Sequence, residues 1–224
     1  MERDELVFFE SLIKLNQCKR VVEIGVWLGE STKHLCKALA YTNGHLWGFD
    51  IWEIHGLKKQ YRMISSKEKV EQRLKDAGIP ENLYTLTKID TKIDRELFEN
   101  FLEAECAPID FCFIDGCHSY EGIKNDFFSI YPLLSPVSIV AFHDTLRIDG
   151  CREFILDLRD KYWDGTYDIV DFPYGGGKRR VGISLLIKRC YHKINISMDE
   201  VCNLEDTRDQ IIKKEADWYR KQER

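Results

Sequence analysis

Apolar positions along the chain follow two different periods. Short, nearly continuous apolar runs at 21–23, 45–50, 83–89, 109–115, 138–142, 167–171 and 182–188 have the length and make-up of buried strands. Between them apolar residues recur every three or four positions, which predicts helices over 5–15, 31–41, 67–77, 96–105, 120–134 and 151–161. Punctuation supports these limits: Asn43-Gly44 stops the second helix, and Ser135-Pro136 ends the one beginning at Tyr120. Ser65 or Ser66 is placed to cap the helix that Gly78 closes. The stretch 51–66 shows no period and carries Trp52, His55 and Tyr61. Alternating strands and helices with short links predict an α/β, doubly wound parallel sheet. The last two strands, joined without a helix, are expected to add an antiparallel edge.

No internal repeat or linker interrupts this pattern, so 1–195 reads as a single domain with a short N-terminal helix. The remainder, 196–224, is a charged tail with a sparse apolar face of Ile211, Ile212, Trp218 and Tyr219. It reads as a solvated helix, or else as a docking helix for a second subunit or a cap over the site.

Composition narrows the choice of partners. The chain has 224 residues, 44% of them hydrophobic, enough for one well-buried core but with no apolar run able to span a bilayer. Its start, Met-Glu-Arg-Asp-Glu, is charged where a secretory leader needs an apolar segment. The net charge of −5 argues against a nucleic-acid partner, which calls for a basic face. Eight cysteines occur without a C-x-x-C pair, so a reducing, cytoplasmic setting is the simpler expectation. Cys36 and Cys112 fall inside apolar patterns and read as core fillers.

Chemistry concentrates where strands end. Val-Val-Glu-Ile-Gly-Val-Trp-Leu-Gly-Glu-Ser, residues 21–31, reads as a strand, a glycine turn and a helix start, which is where an open α/β sheet holds a nucleoside-type cofactor. A dinucleotide turn needs a second glycine against the pyrophosphate, but Trp27 stands there, and Glu30 takes the third glycine's place. S-adenosylmethionine has no phosphate and carries a sulfonium cation, which suits an acidic strand end. Acids stand at five strand ends: Glu23, Asp50, Asp90, Asp115 and Asp144. Their repulsion demands cations or hydroxyls among them. Asp50 lies at the distance from the turn expected of an acid that binds ribose hydroxyls. Glu23 is expected to anchor the turn and the amino-acid end of the cofactor, with Gly25 and Gly29 letting backbone approach. Ser31, Ile51, Asp90 and Asp115 complete the expected cofactor contacts.

Glu-Ile-Gly-Val-Trp-Leu-Gly resembles motif I of class I S-adenosylmethionine-dependent methyltransferases. Phe-Ile-Asp-Gly-Cys-His-Ser-Tyr-Glu-Gly-Ile-Lys-Asn-Asp, followed by Ile-Val-Ala-Phe-His-Asp-Thr, resembles a branch with small O-methyltransferases of the macrocin (sugar) type and cephalosporin-hydroxylase-like proteins. The resemblance covers about 21–188 and implies a Rossmann-like sheet of seven strands, mostly parallel with an antiparallel last strand. One departure is that the usual Pro-Gly-Gly after the fourth helix is here Ser135-Pro136-Val137-Ser138.

The resemblance also implies a divalent ion held by Asp115, His143 and Asp144. Oxygen-rich ligation suits Mg²⁺, whereas a histidine in place of the family's acid shifts preference toward Mn²⁺, Fe²⁺ or Zn²⁺. The alternative is that His143 and Asp144 only hydrogen-bond loop amides. His118, three residues past Asp115, stands where the catechol enzymes carry a lysine base, and an imidazole suits that task. Otherwise it caps the helix that follows. The implied acceptor is a small hydroxylated metabolite, such as a sugar or glycosylated compound. The rivals are an NAD-linked or hydroxylase-like enzyme on the same scaffold and a non-catalytic member. Gly175-Gly176-Gly177-Lys178-Arg179-Arg180 reads as a hairpin tip or as a cover for an acidic substrate. Oligomeric state stays open, a homodimer being one arrangement.

Overall fold

Alternate residues of the central strand β4 (Ile109–Ile114) belong to two different cores. Phe111 and Phe113 pack into one, Cys112 and Ile114 into the other, as the two-residue period of a strand requires. A strand apolar on both faces needs helices on both faces, and the computed structural model provides them. It describes residues 3–52, 65–172 and 181–189, all within one compact unit that ends at Arg189.

On the first face lie α1 (Arg3–Leu15), α2 (Glu30–Thr42) and α3 (Lys67–Asp76). The opposite face is covered by α4 (Arg95–Phe101), α5 (Tyr120–Ile130) and α6 (Asp149–Arg159). The sheet between them contains β1 (Arg20–Ile24), β2 (His45–Asp50), β3 (Tyr84–Lys88), β4, β5 (Leu134–His143), β6 (Tyr167–Phe172) and β7 (Ile183–Lys188). Its seven strands run in the order β3-β2-β1-β4-β5-β7-β6. Strands β1 to β5 are parallel, so their carboxyl ends share one edge. The strand order reverses between β1 and β4, and such a switch point opens a crevice at that edge.

Several expectations are corrected. The closing pair of strands adds the expected antiparallel edge, but not in chain order. β7 is the antiparallel strand and lies inside the sheet between β5 and β6, leaving β6 at the border. The run Ile183–Leu186, apolar except for Ser184 and buried throughout, explains the insertion, because an edge strand does not bury every side chain. The helix expected to reach residue 134 stops at Ile130 and tightens into a 3-10 turn over Tyr131–Leu133. Pro132 lacks the amide that an α-helix would need there. Ser135-Pro136 consequently lies inside β5, where pairing slips from Ile109 with Leu134 to Phe111 with Ile139. A bulge of this kind leaves the proline without a ladder bond to miss. The helix expected over 96–105 is α4 as far as Phe101 and a π-turn over Leu102–Cys106.

Ser66 caps α3, its hydroxyl accepting from the amide of Lys69 at 3.3 Å. Six cysteines are free among the described residues, and all but Cys117 are buried. Burial pushes the thiols of Cys18 and Cys106 up to about 12, which removes them as nucleophiles. None of the helices among the described residues is long and apolar enough to cross a membrane. His55, Tyr61, the 175–180 loop and the tail from 196 lie outside the described residues.

Candidate active site at the carboxyl ends of the strands

Glu23 is fully buried near the end of β1. Its Oε2 accepts from the Thr32 hydroxyl at 2.6 Å, while its Oε1 has no hydrogen-bond partner. Burial pushes the Glu23 carboxyl up to about 8; hydrogen bonds from Ser31 and Thr32 oppose this, and the charges of Asp115 and Asp50 add to it. The chain then turns on Gly25, whose φ is +94° and whose amide donates to the Phe49 carbonyl at 2.9 Å. A side chain at Gly25 would run into the backbone of Asp115 and Gly116, so glycine is what lets the two strand ends meet at the switch point. Gly29, φ +76°, ends the turn and begins α2 without a side-chain cap, and a methyl there would collide with Val70. Trp27, 57% exposed, lies between the glycines.

Asp50, at the end of β2, ties this turn to its own strand. Its Oδ2 accepts from the Trp27 amide at 2.7 Å, and its Oδ1 accepts from the Trp52 amide at 2.6 Å. Each carboxylate oxygen keeps a second lone pair, so capacity remains for hydroxyl donors. Ile51 follows, half-buried. Asp90 has a different local role: its Oδ1 accepts from the amides of Lys92 and Ile93 at 3.0 and 3.1 Å, holding the turn that leads to α4.

The densest cluster surrounds Asp115, just past β4. Asp115 Oδ1 lies 3.1 Å from His118 Nε2 and 3.1 Å from His143 Nδ1. Burial acts to raise the Asp115 carboxyl, but the hydrogen bonds and charge of the two histidines outweigh it and hold the group at about 2. The hydrogen bond to Asp115 lifts the His118 imidazole above its ordinary range. Ser119 caps α5, its Oγ accepting from the Gly122 amide at 3.1 Å; that leaves the His118 ring to Asp115 and to Asp144, whose Oδ2 is 4.0 Å away. Asp144 has a φ of +57° and a buried Oδ1 with no hydrogen-bond partner.

One atom each from Asp115, His118 and Asp144 fall within 4.8 Å of one another, a donor set of metal-binding size. His143 stands differently from the expectation that placed it among the ligands. Its Nδ1 faces Asp115, and its Nε2 lies 3.6 Å from Oε2 of Glu5, a residue of α1. Burial acts to lower the His143 imidazole; the carboxylates of Asp115 and Glu5 outweigh it and push the ring up to about 10.

Sequence reasoning passed over Glu5, although a signal for it exists. Glu5, Phe9 and Ile13 are spaced four apart and all buried, so this acid lies in register with the apolar stripe of α1. Asp126, of α5, is also buried. Its Oδ1 accepts from the Thr91 hydroxyl at 2.6 Å, and burial pushes the carboxyl up to about 6.

Residues 22–145, more than half of the chain, match the family model described as a methyltransferase domain. Among solved structures, the O-methyltransferase TomG from Streptomyces achromogenes, in complex with SAM, matches with a TM-score of 0.66. It is 21% identical, over 84% of this chain and 81% of TomG. An O-methyltransferase from Bacillus cereus in complex with SAH also reaches 0.66, at 14% identity over 84% and 82% of the two chains. At these identities the likeness shows the shared fold. In sequence, the uncharacterized protein y4gI of Sinorhizobium fredii is 27% identical over 71% of this chain. The match spans 16% of that protein's length. The chain belongs to the methyltransferase domain family and has the class I S-adenosylmethionine-dependent methyltransferase fold.

Proposed function

We propose that the protein transfers the methyl group of S-adenosylmethionine to a hydroxyl of a small metabolite, a sugar or glycosylated compound by the resemblance of its His-Ser-Tyr segment. The observation that carries this is the buried, unpartnered Oε1 of Glu23 beneath the Gly25 turn, with Asp50 and Asp115 charged nearby. The Asp50 and Asp115 carboxylates suit a cationic ligand and disfavour a pyrophosphate, and a bound cation would draw Glu23 toward its ionised form. Glu23, Gly25, Gly29, Ser31, Asp50 and Ile51 would surround the cofactor, which supplies an electrophilic methyl carbon when bound. Asp90 joins them more weakly, since its side chain already holds a turn.

The protein's own work is then alignment and removal of one proton. His118, with 35% of its side chain exposed, is accessible to an acceptor. Donation from Nε2 to Asp115 fixes the neutral tautomer with its lone pair on Nδ1, which takes the acceptor proton. Asp115 keeps the ring oriented and stabilises the imidazolium that forms.

A second reading is favoured by the donor set of Asp115, His118 and Asp144 and by the buried Oδ1 of Asp144, which has no hydrogen bond and only the His143 ring at 3.8 Å. A divalent ion held there would lower the pKa of the acceptor hydroxyl. Mixed oxygen and nitrogen donors accommodate Mn²⁺ or Zn²⁺ as well as Mg²⁺. In this reading His143 stands behind the ligands.

Calorimetry with S-adenosylhomocysteine tests the cofactor. Wild type should bind and Asp50→Ala should bind about tenfold more weakly, the equivalent of roughly 1.4 kcal/mol; a wild type without heat of binding defeats the proposal. Transfer of radiolabelled methyl to catechol and to a panel of sugars tests the chemistry. His118→Ala should slow transfer by about 10²–10⁴-fold with cofactor affinity preserved. Rates unchanged by a chelator select His118 as base, and rates lost and then restored by Mn²⁺ select the metal.

A further inference from the structure

The first turn of α1 brings a carboxylate into the interior at one point. Glu5 is 1% exposed on a helix face otherwise made of Leu6, Phe9 and Ile13. Burying a carboxylate among such side chains is unfavourable by several kcal/mol unless a cation compensates. One such group among the described residues is His143, itself 6% exposed, with Nε2 3.6 Å from Glu5 Oε2. That separation is an ion-pair contact rather than a hydrogen bond. The other ring nitrogen lies 3.1 Å from Asp115 Oδ1, the same oxygen that His118 Nε2 reaches at 3.1 Å. Four side chains therefore form a continuous line, Glu5, His143, Asp115, His118, from the N-terminal helix to the mouth of the site.

We propose that Glu5 is a positioning residue: acting through His143, it fixes the Asp115 carboxylate that in turn orients His118. A ring held by a carboxylate on one side only can rotate about its Cβ–Cγ bond or exchange its nitrogens. Carboxylates against both nitrogens remove that freedom. Asp115 Oδ1 then has one place to sit, between two imidazoles. The edge of Phe113, its ring centroid 6.0 Å from that of His143, closes the remaining side. The match to the methyltransferase model begins at residue 22, so Glu5 reaches the site from a helix outside the matched span.

This inference rests on the functional reading above for the use made of Asp115 and His118, but its test does not. The full-length protein, labelled with ¹⁵N at histidine, is compared as wild type, Glu5→Gln and Glu5→Leu by long-range ¹H–¹⁵N spectra of the imidazole rings. Expected is a shift of the ring nitrogens of both His143 and His118, larger in Glu5→Leu than in Glu5→Gln. His45, bonded to Asn82 and Thr85 on the far side of β2, should stay in place as the internal control. Affinity for S-adenosylhomocysteine should remain within about twofold, since Glu23 and Asp50 are untouched. A Glu5→Leu variant that merely filled the core would move His143 alone; wild-type His118 signals in both variants overturn the proposal. If Glu5→Leu does not fold, the near-isosteric Glu5→Gln decides by the same criterion. A wild type that binds no S-adenosylhomocysteine defeats the functional reading, while the ring spectra still decide what Glu5 does.

Discussion

At the scale of single residues, Glu23 holds a proton that the unfolded chain would release. Its carboxyl is raised from 4.5 to about 8, chiefly by burial. Between those values the native state binds more protons than the unfolded one, so stability falls as pH rises through the window. The advantage of the neutral form is complete below about 4.5 and gone above about 8. The thermal midpoint of the ligand-free protein should therefore decline from pH 5 to pH 8, and Glu23→Gln should flatten that decline. Parallel curves for the two proteins would mean that Glu23 ionises normally. Gly25→Ala tests the turn itself. Combining a φ of +94° with overlap against Asp115, it should lose about 3 kcal/mol or more in a denaturant titration. A wild-type midpoint would show that the turn can shift.

The glycines and Glu23 were legible because each is defined by its neighbours in sequence. Glu5 was not, since a lone acid on a helix face reads as solvated until its partner is known. His143 was legible as a neighbour of Asp115, but its contact with Glu5 was not, because that partner comes from α1, far away in the chain.

At the scale of elements, α5, α6 and β5 are joined through aromatic rings. Phe154 of α6 is fully buried, with ring centroids 5.8 Å from Tyr120, 5.7 Å from Phe127 and 6.2 Å from Phe142. Phe154→Ala should destabilise by about 3–5 kcal/mol in an equilibrium unfolding measurement. A loss below about 1 kcal/mol would mean that neighbouring rings collapse into the space. Tyr120, in the His-Ser-Tyr segment, adds a polar tie, its hydroxyl donating to Asp157 of α6 at 2.5 Å. Element limits were readable wherever local chemistry sets them, as at the Ser66 cap and the Asn43 end of α2. They were misread around Pro132 and Pro136. Whether a proline ends a helix, starts a turn or sits in a bulge depends on the strand that pairs beside it.

At the scale of the whole molecule, the switch point between β1 and β4 places the residues proposed to hold the cofactor at one sheet edge. A ligand that binds only the native state stabilises it by mass action. S-adenosylhomocysteine at a hundred times its dissociation constant should add about 2.7 kcal/mol, or roughly 5–10 °C in thermal midpoint for a domain of this size. An unchanged midpoint would mean that the native state does not bind the ligand in preference to the unfolded chain.

The sequence alone determined the alternation of strand and helix, the glycine turn, and the gathering of acids at one edge. Hydrophobic period and turn chemistry are local properties, and parallel strands necessarily share a carboxyl end. Tertiary structure alone decided that β7 enters the sheet inside β6, that Asp115, His118 and Asp144 converge, and that Glu5 reaches His143. Those outcomes depend on strand order and on which helix face meets which strand, and both are fixed by packing between residues far apart in the chain.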